Sequence, residues 1–108
     1  MPFQFGIHLD AELRRLVGDV DVRVPEPVLR ELEGLADSER HARSAVRLAG
    51  AYPPIEGHGN PDDALLELAA SRAGIVVTND AALLERLRQA RVPVIFLRSR
   101  NHLVVEGL

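Results

Sequence analysis

Hydrophobic and polar residues follow two periods along this chain, and the clearest pattern lies between residues 60 and 80. Asn60 is a candidate helix cap, Pro61 suits the first helical position, and acidic residues fill the first turn. Gly74 follows the end of this helix, and residues 75–78 are β-branched without a break, which is typical of a strand covered on both faces. The pattern predicts a helix and then a buried strand, with Asp80 at the strand's carboxyl end.

The other segments predict strands and helices in alternation. An amphipathic helix follows residues 1–6 and ends at Gly18, and alternating valines over 20–24 predict a half-exposed strand. The remaining predicted elements are helices over 28–36, 38–50 and 81–90, a buried strand over 92–97, an edge strand over 103–105 and a loop over 52–59. This alternation predicts an α/β fold of three α/β/α layers around a central parallel sheet.

Length and composition favour a single globular domain over residues 1–108. The chain has 108 residues, of which 46% are hydrophobic, enough for one core. No apolar run approaches the roughly 18 residues of a membrane span, and no signal peptide is visible, so the expected location is cytoplasmic. The absence of cysteine excludes disulfides and thiolate metal sites.

The net charge of -3 gives no overall electrostatic argument for nucleic acid. All 13 basic residues are Arg; Arg suits phosphate, although a chain without Lys is more simply explained by a GC-rich genome. Arg40, Arg43 and Arg47 share one predicted helix face. A solvated face is the ordinary explanation, and a row of RNA phosphate contacts that also uses Arg98 and Arg100 is the alternative.

Four carboxylates near element ends are the candidates for metal chemistry: Glu31, Asp62, Asp63 and Asp80. Hard oxygen ligands without Cys favour Mg²⁺ or Mn²⁺ over Zn²⁺. Such an ion can activate water and offset charge on a phosphodiester. Each acid also has an ordinary explanation: Asp62 and Asp63 suit the helix dipole, Asp80 suits a cap, and Glu31 suits the surface. Sequence spacing does not show whether the four meet.

Four segments follow one another along the chain: VPEPVLREL (24–32), NPDDALLELA (60–69), IVVTNDAALLERL (75–87) and VPVIFLR (92–98). In this order they resemble the segments of the PIN-domain family of metal-dependent ribonucleases. The motifs are individually short, but their order and spacing make the resemblance fairly specific. The chain looks most similar to the archaeal branch related to eukaryotic ribosomal-RNA-processing endonucleases, and more distantly to VapC toxins. The first and third segments favour the processing branch.

The resemblance implies an endoribonuclease with an acidic Mg²⁺ or Mn²⁺ site. It assigns catalytic and metal-binding roles to Glu31, Asp62 and Asp80, with Asp63 as the adjacent alternative to Asp62 among the metal ligands and with Thr78 and Asn79 in support. Relatives typically begin with a strand that ends in a first catalytic Asp, and this central strand is absent here. The resemblance therefore implies either a start assigned too late or a short form that has lost a metal ligand.

A missing central strand predicts an exposed sheet edge, and exposed edges invite pairing with a second chain. We therefore expect a homodimer or a strand-exchanged oligomer, with RNA as substrate. Two alternatives to the enzyme stay open: an inactive RNA- or ribosome-binding module, and an interaction domain whose acids are only caps. A toxin-type role would add an antitoxin partner.

Overall fold

The structure, a computed structural model, describes residues 2–35, 46–47, 49–98 and 102–108, and of residues 2–9 only the backbone. The helices of this part are α1 (Pro2–Val17), α2 (Glu26–Leu35), α3 (Pro61–Arg72) and α4 (Ala81–Gln89). The strands are β1 (Val24–Pro25), β2 (Pro54–Ile55), β3 (Val76–Val77), β4 (Val94–Arg98) and β5 (His102–Glu106). None of these helices is long and apolar enough to cross a membrane.

The described strands form two sheets. β1 and β2 pair in parallel. β3 pairs in parallel with β4, and β4 pairs antiparallel with β5. The first sheet belongs to a compact unit over Met1–Ala64 and the second to a unit over Leu65–Leu108. The α/β class and the predicted edge strand near the end are confirmed, while the single domain over 1–108 stays a prediction.

In the first unit, α1 is followed by a glycine, and a side-chain hydrogen bond joins α1 to a later segment. Gly18 has a φ of 79°, and its N–H donates to the Arg14 carbonyl at 2.9 Å, so α1 ends where predicted. The Tyr52 hydroxyl donates to Asp10 Oδ1 at 2.6 Å, which joins α1 to the segment before β2. Burial and then the Asp10 carboxylate raise the pKa of Tyr52 to about 12.

The second unit is built around the leucines of α4. Leu83 and Leu87 lie one turn apart and are almost fully buried, which fits the apolar face of an amphipathic helix. Their cluster also includes Val76 of β3 and Val94 of β4. Because β3 is anchored in this core, the polar residues after it start from a fixed position.

Several predicted elements differ from the observed ones. The strand over 75–78 shortens to Val76–Val77, and Val77 is 47% exposed, so the prediction that both faces are covered was wrong. Successive side chains point to opposite faces, and only Val76 belongs to the core of this unit. The predicted loop over 52–59 contains β2, because pairing with β1 aligns Pro54–Ile55 as a strand.

Near the start of the chain, the observed helix and strand boundaries also differ from the predicted ones. α1 begins at Pro2, and the strand predicted over 20–24 is only Val24–Pro25. Most of the predicted helix over 38–50 lies outside the described residues; within it, Val46, Arg47 and Ala49 are helical.

Candidate acidic site

Three polar residues carry the chain from the carboxyl end of β3 into α4. The Thr78 N–H donates to the Ile95 carbonyl at 3.0 Å, continuing the pairing with β4. The Thr78 hydroxyl oxygen accepts a bond from the Asp80 N–H at 3.2 Å. Asn79 Oδ1 accepts a bond from the Leu97 N–H at 2.7 Å, so Asn79 also holds the loop to β4. Both predicted supporting residues therefore fix the backbone that presents Asp80.

Asp80 is the N-cap of α4. Its φ and ψ of -69° and 119° are extended, and its Oδ1 accepts a bond from the Leu83 N–H at 2.9 Å. This bond satisfies one of the helix's free amide groups. The residue is exposed, and within the described chain its other carboxylate oxygen makes no hydrogen bond. The capping role is therefore present, and one oxygen remains available to a ligand.

The two acids in the first turn of α3 have different surroundings. The Asp63 N–H donates to Asn60 Oδ1 at 2.9 Å, and Asn60 Nδ2 donates to Asp63 Oδ2 at 2.9 Å. The first bond makes Asn60 the N-cap of α3, and the second joins the Asn60 and Asp63 side chains instead of the backbone N–H that a capping box uses. The Asp62 side chain is half-buried and makes no hydrogen bond or ion pair with any residue the structure describes. Asp62 is therefore the freer of the two carboxylates.

The predicted acids do not form a complete metal site among the described residues. Glu31 is exposed on α2, as the surface explanation expects. Glu31, Asp62 and Asp63 belong to the first unit and Asp80 to the second. Nowhere in the described ranges do three or more acidic or His side chains come close enough to hold a metal ion. The structure therefore shows no three-ligand metal site among the residues it describes, and the metal-binding roles of the four acids stay predictions.

The predicted RNA-binding arginines are only partly visible. Arg40, Arg43 and Arg100 lie outside the described residues. Arg47 is exposed and helical. Arg98 is exposed at the end of β4, and its guanidinium carbon lies 5.9 Å from the centre of the Phe96 ring.

Two residues beside Arg98, Arg88 and Phe96, were not among the predicted site residues. Arg88 of α4 also lies over the Phe96 ring, at 5.8 Å from its centre. The two-residue spacing of Phe96 and Arg98 indicates a shared face of β4. The position of Arg88 depends on how α4 packs against the strand, so no sequence pattern identifies it.

A family model and two known proteins match this chain. A family model described as a PIN-like domain matches residues 1–100. The chain is similar to ribonuclease VapC4 of Methanocaldococcus jannaschii, with 28% identity over 116 positions that cover 98% of this chain and 88% of that protein. It is also similar to ribonuclease VapC9 of Archaeoglobus fulgidus, with 34% identity over 86 positions that cover 75% of this chain and 64% of that protein.

Proposed function

The chain belongs to the PIN-like domain family, and from this premise we propose that it is a ribonuclease that hydrolyses RNA phosphodiesters. Two relatives are named as ribonucleases, and the similarity to one of them extends over nearly the whole chain. The observation that carries the proposal is the difference between Asp62 and Asp63. The family resemblance selects Asp62, and Asp62 is the member of the pair that the helix cap does not use.

Asp62 and Asp80, together with Glu31, are the proposed acidic residues of the site. A half-buried carboxylate loses hydration, which is unfavourable unless a donor or a cation compensates it. Asp62 has no such donor in the described chain, which supports a role in holding a cation or a water. Asp80 can keep its bond to Leu83 while its second oxygen binds.

Mg²⁺ or Mn²⁺ is the proposed cofactor, because oxygen ligands prefer these hard ions. A bound ion would supply activation of water and neutralisation of phosphodiester charge. We expect chelation by EDTA to abolish cleavage and Mn²⁺ to restore it. Cleavage that continues in EDTA would contradict the metal dependence alone.

The test of the proposal is cleavage of an end-labelled structured RNA with Mn²⁺ by the wild type, D62N and D63N. Asp62→Asn removes a charge with little change of shape, and we expect a loss of at least about 100-fold, because even the outer partners of metal ligands contribute about 10- to 100-fold. Asp63→Asn is the matched control, since its amide oxygen can still accept the bond from Asn60. We expect D63N to cleave like the wild type.

Two outcomes would contradict the proposal. A wild-type chain that binds RNA without cleaving it would support the inactive binding module. Equal cleavage by the wild type and D62N would remove Asp62 from the site.

The biological role is proposed to be of the VapC type. Two of the sequence segments favoured RNA processing, but the two relatives carry VapC names, which support the toxin-type alternative. Such a role adds an antitoxin protein as partner. Expression of the wild type in a host cell should then arrest growth, expression of D62N should not, and co-expression of an adjacent antitoxin gene should relieve the arrest. Normal growth with the wild type would favour processing.

A second copy of the chain is the other proposed partner. The Val76 and Thr78 N–H groups donate to the Pro93 and Ile95 carbonyls. β3 lies at the edge of the three-stranded sheet that the structure describes, and Val77 is an exposed apolar residue. Such an edge favours pairing between chains. We expect sedimentation equilibrium to show a homodimer and Val77→Lys to give monomers. A monomeric wild type would exclude this partner.

A further inference from the structure

Besides the exposed edge at Val77, the Leu65–Leu108 unit has another candidate contact surface. β4 places Phe96 and Arg98 on one face, and strand register sets His102 of β5 opposite Arg98. Arg88 and Arg98 both lie over the Phe96 ring, at 5.8 and 5.9 Å. We call Arg88, Phe96, Arg98 and His102 the Phe96 surface.

The two arginines of the Phe96 surface differ in their charge partners. Arg88 Nε donates to Glu106 Oε1 at 2.7 Å, so a carboxylate offsets the charge of Arg88. Arg98 has no carboxylate partner in the described part of the chain and is exposed. The aromatic ring attracts a cation without cancelling its charge. Arg98 is therefore an oriented guanidinium whose charge is available to an anion.

The charge of the surrounding unit favours a negatively charged partner. Residues 65–108 contain six Arg and four acidic residues, an excess of two positive charges. Residues 1–64 contain seven Arg and twelve acidic residues, an excess of five negative charges. The net charge of -3 is therefore the sum of an acidic unit and a basic unit.

We propose that the Phe96 surface is an RNA contact outside the acidic site, where Arg98 binds a phosphate and its guanidinium stacks on an unpaired base. The proposal rests on the proposed function in taking RNA as the substrate. A guanidinium lying over a ring has a second planar face, and unpaired bases stack on such planes. An acidic peptide would need the charge but not the ring, so the aromatic residue favours RNA.

The test is the affinity for a fluorescent single-stranded RNA, measured by anisotropy in EDTA over a range of salt. Arg98→Ala should weaken binding about tenfold and lower the salt slope by about 0.7, the effect of one phosphate contact to a single strand. Arg98→Lys keeps the charge without the planar group, so it should keep the slope and still bind several-fold more weakly. Arg72→Ala is the matched control, because Arg72 is an exposed arginine of the same unit.

Each result supports or overturns the inference. R72A should bind like the wild type, and a duplex of the same sequence should bind more weakly than the single strand. The inference fails if R98A binds like R72A, if R98K binds like the wild type, or if an acidic peptide depends on Arg98 as strongly as RNA does.

Failure of the inference is distinguishable from failure of the proposed ribonuclease. A chain that binds RNA through Arg98 but never cleaves it keeps the Phe96 surface and loses the activity. A chain that cleaves RNA equally well as the wild type and as R98A, with unchanged binding, keeps the activity and loses this surface.

Discussion

At the scale of single residues, identical side chains in adjacent positions have different roles. Asp63 closes the cap of α3 with Asn60, while Asp62 has no partner in the described chain. The sequence predicted Asn60 as a cap and placed both acids in the first turn. It could not separate them, because the difference depends on which side chain reaches Asn60, and family resemblance alone favoured Asp62.

The bond between Tyr52 and Asp10 was also beyond sequence analysis. The two residues are 42 positions apart, and no local pattern relates them. The raised pKa of Tyr52 leads to a prediction about how the free energy of unfolding depends on pH.

We expect Tyr52→Phe to lower the free energy of unfolding by about 1 kcal/mol at neutral pH, the usual value of one hydrogen bond. Folding raises the pKa of Tyr52 from 10.0 to about 12, so the unfolded chain loses its phenolic proton first. The stabilisation is complete below pH 10 and is lost as the pH rises from 10 to about 12. Urea unfolding should show this loss in the wild type and not in Y52F.

The same pH range contains no competing side chain. The sequence has no Lys or Cys and only one Tyr, and Arg stays protonated. The ultraviolet absorbance of tyrosinate therefore follows Tyr52 alone. A midpoint near the ordinary value of 10.0 in the folded protein would contradict the bond to Asp10.

At the scale of elements, Asp80 at the start of α4 has a structural role as the helix cap and a proposed chemical role in the acidic site. We expect Asp80→Ala to lower the free energy of unfolding by about 1 kcal/mol, because the Leu83 N–H loses its acceptor. Asp80→Asn should stay close to wild-type stability, since Asn caps as well as Asp. If Asp80 belongs to the acidic site, both variants should lose RNA cleavage, and cleavage by D80N at the wild-type rate would show that Asp80 is only a cap.

Elements with strong local signals could be predicted, and those defined by a partner could not. α4 has a capping Asp and regularly spaced leucines, and it lies within about one residue of the predicted range. β2 contains only Pro54–Ile55 and exists through its pairing with β1. The β-branched run at 75–78 correctly predicted a strand, but burial of Val77 depends on what packs on its second face.

At the scale of the whole molecule, the net charge is the sum over two units of opposite charge. A net charge of -3 offers no argument for RNA, yet the Leu65–Leu108 unit has an excess of Arg. The boundary at Ala64 and Leu65 is a property of spatial packing, so composition along the chain does not mark it. The prediction of one domain over 1–108 therefore needs a measurement that observes the units separately.

The contact of Tyr52 with Asp10 provides such a measurement. The chain has one Tyr and no Trp, so its fluorescence comes almost entirely from the Met1–Ala64 unit, whereas far-ultraviolet circular dichroism reports helices of both units. Loss of the bond to a quenching carboxylate should brighten Tyr52 on unfolding. Coincident transitions by the two probes are expected for one cooperative domain, and separated transitions would mean two. This one hydrogen bond thus gives the protein an optical reporter of its own cooperativity, with no label added.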